Sequence, residues 1–144
     1  MNMSHRWHVN SAHDRPTINA LLVDDNISFR QVLSDILYAY FPLIGIEEAG
    51  DWAEVQSKVD YLHPNIIFMD IQLPGVNGLE LTKEIKQVYS DIVIVVLSTN
   101  DLPEYRQQAF RNGADCYISK TDDSCLQKIL RRVAEAMAVF LWNR

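Results

Sequence analysis

The sequence predicts a doubly wound α/β sandwich built on a five-stranded parallel sheet. Three observations carry that prediction. Short apolar runs alternate five times with segments of helical periodicity from Thr17 onward. Two runs, Ile66-Ile67-Phe68-Met69 and Ile92 to Leu97, lack polar alternation, as strands covered on both faces by helices do. Charged residues stand where the runs stop: Asp24 and Asp25 after the first, Asp70 after the third, Lys120 after the fifth.

Each element has its own signal. Ile18 to Val23 reads as the first strand. A helix from about Asn26 carries Phe29, Val32, Leu33, Ile36, Leu37 and Tyr40 at i, i+3, i+4 spacing, and Pro42 stops it. Ile44 to Ala49 is a second strand, and Glu47 and Glu48 make it an edge. Asp51 is placed to cap the next helix, which runs to about Tyr61. His63-Pro64-Asn65 is a turn into the third strand. Leu73 to Gly78 is the most loop-like stretch, and the helix after it carries Leu81, Ile85 and Val88. After the fourth strand, a helix opens near Asp101 with Pro103 in its first turn and Gly113 as its C′ residue. Asp115 to Lys120 is the fifth strand. The last helix runs from Asp122 or Asp123 to about Leu141, with Leu126, Ile129, Leu130, Val133, Met137 and Phe140 apolar. Its apolar extension through Val139, Leu141 and Trp142 exceeds what one core face needs, and points to a partner, a dimer mate or a further domain.

Residues 1–16 read as a flexible tail, in which His5, His8 and His13 flank Trp7, and residues 17–144 as one domain. Of 144 residues 48% are hydrophobic, enough for a real core. A net charge of -6 argues against direct nucleic-acid binding by this chain, which would need a basic patch. No targeting signal is visible in residues 1–16, which lack the apolar stretch of a signal peptide, and no run approaches the ~20 apolar residues of a membrane span. Cys116 and Cys125 have neither C-x-x-C spacing nor a histidine at metal spacing, so they read as reduced thiols of a cytoplasmic protein.

In open α/β sheets ligands bind outside the carboxyl ends of the strands. Adjacent aspartates on a straight strand would diverge, but at a strand-to-helix bend both can turn to one cleft. Three carboxylates converging there repel unless a cation intervenes. Mg²⁺ suits such a set, because it takes oxygen ligands and keeps waters that phosphate can replace. A carboxylate can attack phosphorus, and the transfer then needs positive charge and donors around the phosphoryl oxygens. Lys120 supplies an ammonium and Ser98, ending the fourth strand, a hydroxyl. Taken singly, a strand-end aspartate reads equally as a helix cap, a strand-end lysine more often as a solvated charge, and Ser98 as a turn residue. The joint pattern at four strand ends is far more specific than its members.

These residues also resemble a known family. Leu-Leu-Val-Asp-Asp at 21–25, Ile-Ile-Phe-Met-Asp-Ile-Gln-Leu-Pro-Gly-Val-Asn-Gly at 66–78, Leu-Ser-Thr at 97–99 and Gly-Ala-Asp-Cys-Tyr-Ile-Ser-Lys at 113–120 resemble a response-regulator receiver domain of two-component signalling. The resemblance spans about Thr17 to Phe140. It implies a flavodoxin-like (βα)5 fold of strand order 2-1-3-4-5, in which strands one and three are neighbours and Asp25 and Asp70 lie close. It further implies that Asp70 accepts the phosphoryl group from a sensor histidine kinase or phosphotransfer protein, as a 4-aspartylphosphate. Asp24, Asp25, Asp70 and the backbone carbonyl of Gln72 would hold Mg²⁺. Lys120 would contact the phosphoryl group, Ser98 would move to bond it, and Tyr117 would turn inward as the switch aromatic. The chemistry would stop at Mg²⁺-dependent autophosphorylation and autodephosphorylation.

The segment from Pro103 to Asp115 looks most like receivers with a helix-turn-helix output, so the chain is expected to be either a stand-alone receiver or one separated from a DNA-binding domain. The face of the fourth helix, fifth strand and fifth helix would bind a partner or a second copy. Two features depart from the family pattern: Thr121 where proline often follows the lysine with a cis bond, and Thr99 where a smaller residue is common. Two other readings compete. One is an interaction module not controlled by phosphate, against which the complete acidic site argues. The other is an aspartyl phosphatase, whose D-x-D element is broken in Asp70-Ile71-Gln72.

Overall fold

The computed structural model describes residues 17–143; the expected tail over 1–16, with its histidines, lies outside the described residues. Five strands form one parallel sheet: β1 (Asn19–Val23), β2 (Gly45–Ala49), β3 (Ile66–Asp70), β4 (Val93–Ser98) and β5 (Cys116–Ser119). Their order is β2-β1-β3-β4-β5, as expected. The helices between and after them are α1 (Ile27–Tyr40), α2 (Trp52–Leu62), α3 (Gly78–Val88), α4 (Pro103–Arg111) and α5 (Cys125–Trp142).

The period of two along each strand divides the core in half. Leu21, Val23, Ile67, Met69, Ile94 and Val96 cluster with residues of α2, α3 and α4. Ala20, Leu22, Ile66, Phe68, Val95 and Leu97 cluster with residues of α1 and α5. With both faces covered, only the strand ends can carry charge at low cost.

Helix starts follow the capping residues. Asn26 accepts from Phe29 N at 3.1 Å, Asp51 from Glu54 N at 2.9 Å and Asn77 from Leu79 N at 2.7 Å. Pro103 stands at the start of α4. Its other end is a Schellman motif: Gly113, at φ 101°, donates to Phe110 O at 3.0 Å while Ala114 N reaches Ala109 O at 2.9 Å. The buried Asn112 side chain ties this end to α3 by donating to Leu79 O at 2.8 Å.

Three details differ from the sequence reading. Helix α5 starts at Cys125, because the Asp122 carboxylate takes both Ser124 N–H and Ser124 Oγ at 2.8 Å and turns the chain first. The stretch after β3 contains a two-residue antiparallel pairing of Gln72–Leu73 with Val76–Asn77. Val88 shares the face of Leu81 and Ile85 but stands at the last residue of α3, 71% exposed beside the groove between α2 and α3. Every peptide bond among the described residues is trans, including Lys120–Thr121, where Thr121 N and Oγ1 fold back onto Ser119 Oγ at 3.3 and 2.9 Å.

Gly78 sets the distance between α3 and the end of β3. Its N–H donates to Ile71 O at 2.6 Å, and a Cβ there would lie 1.9 Å from the Asp70 carbonyl oxygen. Gly78→Ala must therefore move backbone, and we expect at least the roughly 1–3 kcal/mol typical of overpacking. Urea unfolding of the variant checks this; an unchanged midpoint would mean the helix can retreat freely.

Candidate functional site

The register brings the charged strand ends to one edge. Val23 pairs with Met69, so Asp24 and Asp70 follow side by side, and Asp70 pairs with Leu97 one residue before Ser98. Lys120 N donates to Ser98 O at 2.8 Å, placing the lysine at the same edge. One carboxylate oxygen from each of Asp24, Asp25 and Asp70 lies within 4.8 Å of the others.

The members differ in how firmly they are held. Asp24 is buried; its carboxylate accepts from Asn26 N at 2.9 Å and pairs with Lys120 Nζ. Lys120 Nζ is also 3.8 Å from Asp70 Oδ1 and sits 4.3 Å above the centre of the Phe29 ring. Asp25 is exposed and Asp70 buried. Burial, followed by the Asp24 charge, raises the Asp70 carboxyl to about 6, against the opposing pull of Lys120 and of the Gln72 backbone N–H, with Asp25 adding to the rise.

This donor set fits a divalent cation. Three carboxylates against one ammonium leave a formal charge of -2, and all donors are hard oxygens. Asp24, Asp25 and Asp70 would hold Mg²⁺. Gln72 is exposed in the turn after β3, and its N–H already serves Asp70.

Ser98 and Tyr117 meet at a third residue. Ser98 Oγ is turned away from the cluster toward Asn100, donating to its carbonyl and accepting from its N–H, both at 3.0 Å. Tyr117 Oη donates to the same carbonyl at 3.0 Å. The Tyr117 ring is therefore already inward, 5% exposed, with the Arg106 guanidinium 4.8 Å over it. Phe29 and Arg30, beside the acidic cluster, were not singled out by sequence. Phe29 counted as an ordinary core position of α1, and nothing in the chain order marks Arg30. A cavity of about 560 Å³ opens at the opposite end of the sheet, between His63, Asp91 and the last turns of α5, and includes none of these residues.

A doubly wound parallel sheet with an acidic triad and a lysine at its carboxyl edge has the make-up of a phosphoacceptor module. The sequence matches the response regulator receiver domain over residues 20–131, and the chain belongs to that family, the phosphorylation-operated receivers of two-component signalling. It is 31% identical over 107 residues to the transcriptional regulatory protein DegU of Brevibacillus brevis, covering 74% of this chain and 45% of that protein. It is 34% identical over 128 residues to a protein-glutamate methylesterase/protein-glutamine glutaminase of Methanococcus maripaludis, covering 83% and 35%. The response regulator domain of Thermotoga maritima CheB superposes with a TM-score of 0.73 at 29% identity, covering 85% of this chain and 98% of that one. A LuxR-family two-component response regulator from Aurantimonas sp. SI85-9A1 gives 0.74 at 27% identity, covering 85% and 86%. The chain thus spans 45%, 35% and 59% of the first three curated relatives it matches.

The Asp70 environment has a consequence for stability. Its carboxyl titrates near 6 in the fold against ~3.9 unfolded, so the ionised form strains the native state above pH 6. That strain is relieved as pH falls from about 6 toward 4, where native Asp70 is protonated. Without metal at pH 7.5, Asp70→Asn should raise unfolding free energy by about 1–2 kcal/mol, a value already reduced for solvent screening. The advantage should fade below about pH 4. Denaturant titrations in a chelator across this range test it, and a destabilised Asn variant at pH 7.5 contradicts it.

Proposed function

We propose that this receiver works by accepting a phosphoryl group on Asp70 from a sensor histidine kinase or phosphotransfer protein. The convergence of Asp24, Asp25, Asp70 and Lys120 at one sheet edge carries this reading. An Asp70 carboxylate oxygen forms a bond to phosphorus as the bond from phosphorus to the donor's leaving group breaks, giving an acyl phosphate. Mg²⁺, when bound, supplies the positive charge that lets an anionic carboxylate and an anionic phosphoryl group approach. Asp24, Asp25 and Asp70, with the Gln72 carbonyl, would hold that cation, and Lys120 adds a second positive charge beside Asp70. Turnover ends at self-phosphorylation and self-dephosphorylation; the domain, taken as residues 17–144, stores one phosphate rather than processing a substrate stream.

The output follows from what Ser98 releases. If its hydroxyl turns to a phosphoryl oxygen, the Asn100 carbonyl keeps only the Tyr117 hydroxyl as partner. Asn100 lies three residues before α4, so the change passes to the face of α4, β5 and α5. That face, with the exposed Leu102, Phe110 and Leu126, is offered to a second copy or to a DNA-binding output domain. A cytoplasmic setting suits this role, and among the described residues no helix is long and apolar enough to cross a membrane.

With Mg²⁺ and a small acyl-phosphate donor, intact mass should show one added phosphate on the wild type and none on Asp70→Asn. Asp25→Ala should weaken Mg²⁺ by at least the roughly 10–100-fold that loss of even an outer partner of a metal ligand costs. Unmodified wild type, or full modification of the Asn variant, defeats the reading. Sedimentation with and without beryllofluoride addresses the output face. A dimer appearing only with the mimic supports phosphorylation-driven pairing, and a monomer in both states removes it.

A further inference from the structure

The peptide unit joining Asp24 to Asp25 is gripped from α1. Arg30 Nη1 donates to the Asp24 carbonyl oxygen at 2.6 Å, and Arg30 Nε bonds Glu48 Oε1 of β2 at 3.1 Å. The arginine is 15% exposed and lies against Gly50, where a Cβ would come 2.8 Å from Nη1. From the other side of the sheet, Lys58 of α2 donates to the Glu48 carbonyl at 2.5 Å and stands 3.4 Å from the Glu47 carboxylate. The strand that anchors Arg30 is thus itself fastened to α2.

A peptide unit is planar. The carbonyl that Arg30 holds therefore fixes the plane from which both Asp24 and Asp25 depart. Adjacent carboxylates can serve one cleft only if that plane is turned correctly, and Asp25, exposed at the helix start, lies just beyond it. A guanidinium fork can hold a carbonyl and a carboxylate together, which a lysine ammonium on a flexible stem does poorly.

We propose that Arg30 is a positioning residue of the acidic site, setting its affinity for a divalent cation through the Asp24–Asp25 peptide, with Glu48 and the bare Gly50 holding the guanidinium in place. This rests on the phosphoacceptor reading and deepens it. Arg30 touches neither phosphate nor metal; it acts through the orientation of the two aspartates.

The test is Mg²⁺ titration by calorimetry, paired with phosphorylation rates from acetyl phosphate over a range of Mg²⁺ concentrations. Arg30→Met should weaken Mg²⁺ about tenfold, the low end for outer partners of metal ligands. Its phosphorylation rate at saturating Mg²⁺ should return to near wild type. Arg30→Lys should recover part of the affinity, since it keeps charge but not the fork. Gly50→Ala, with Arg30 intact, should shift affinity in the same direction by crowding Nη1. Circular dichroism identifies the folded variants. Wild-type affinity in folded Arg30→Met or in Gly50→Ala overturns the proposal, as does a rate loss that saturating Mg²⁺ does not restore. If Arg30→Met does not fold, Gly50→Ala decides alone. A wild type that binds no Mg²⁺ overturns the phosphoacceptor reading instead, so the two failures are distinguishable.

Discussion

The pairing of β1 with β3 places Val23 beside Met69, and the residues that follow, Asp24 and Asp70, become neighbours whatever their charges. Two unit charges a few ångströms apart near a protein surface interact by about 4 kcal/mol at an effective dielectric constant of 20. The apolar strands on both sides enforce that proximity, because slipping the register would turn buried side chains to the wrong face. The upper edge of the sheet is arranged around this repulsion. Lys120 is drawn onto Asp24, the Gln72 N–H onto Asp70, and the Asp70 carboxyl still rises to about 6. Burial is the larger cause of that rise; the neighbouring negative charge adds to it and suits the edge to a divalent cation.

The same edge has a second, softer feature. One carbonyl, that of Asn100, takes hydrogen bonds from both Ser98 and Tyr117. Two donors from different strands share one acceptor in the segment that leads into α4. The Tyr117 ring is held there by its hydroxyl and by the overlying Arg106, while Ser98 is held by an exchange of bonds with Asn100 alone. In the proposed switch, a signal at Asp70 would reach the tyrosine through this shared acceptor.

Much of this was legible in the chain. Unalternating runs such as Ile66 to Met69 gave the parallel sheet, and the point where each run met a charge located Asp24, Asp70 and Lys120 at its edge. The resemblance supplied the strand order and the roles. What escaped notice depended on contacts between elements distant in sequence. Arg30 meets Glu48 only because α1 packs across the β1–β2 pair, and no spacing along the chain encodes that. Glu47 marked β2 correctly as an edge, yet it is 1% exposed, because α2 lies over that face with Lys58 beside it. Val88 kept its helical phase but outran the core that its phase addressed. Tyr117 could not be oriented from sequence, since its inward position involves the Asn100 carbonyl, the Arg106 guanidinium and core packing, all set by the fold.

The glutamates of β2 show why polar residues occupy an edge strand whose faces are both covered by helices. Glu47 and Glu48 point to opposite faces, one to Lys58 and the other to Arg30. Apolar residues at both positions would bury more cheaply, since ion pairs removed from water seldom contribute net stability. They would also leave Arg30 free to choose among rotamers, and with it the carbonyl between Asp24 and Asp25. An ion pair fixes direction as well as distance, and direction is what two adjacent carboxylates need in order to serve one cleft. On this argument the charge inside β2 is kept for geometry: it transfers the rigidity of the sheet to a turn whose own residues repel one another.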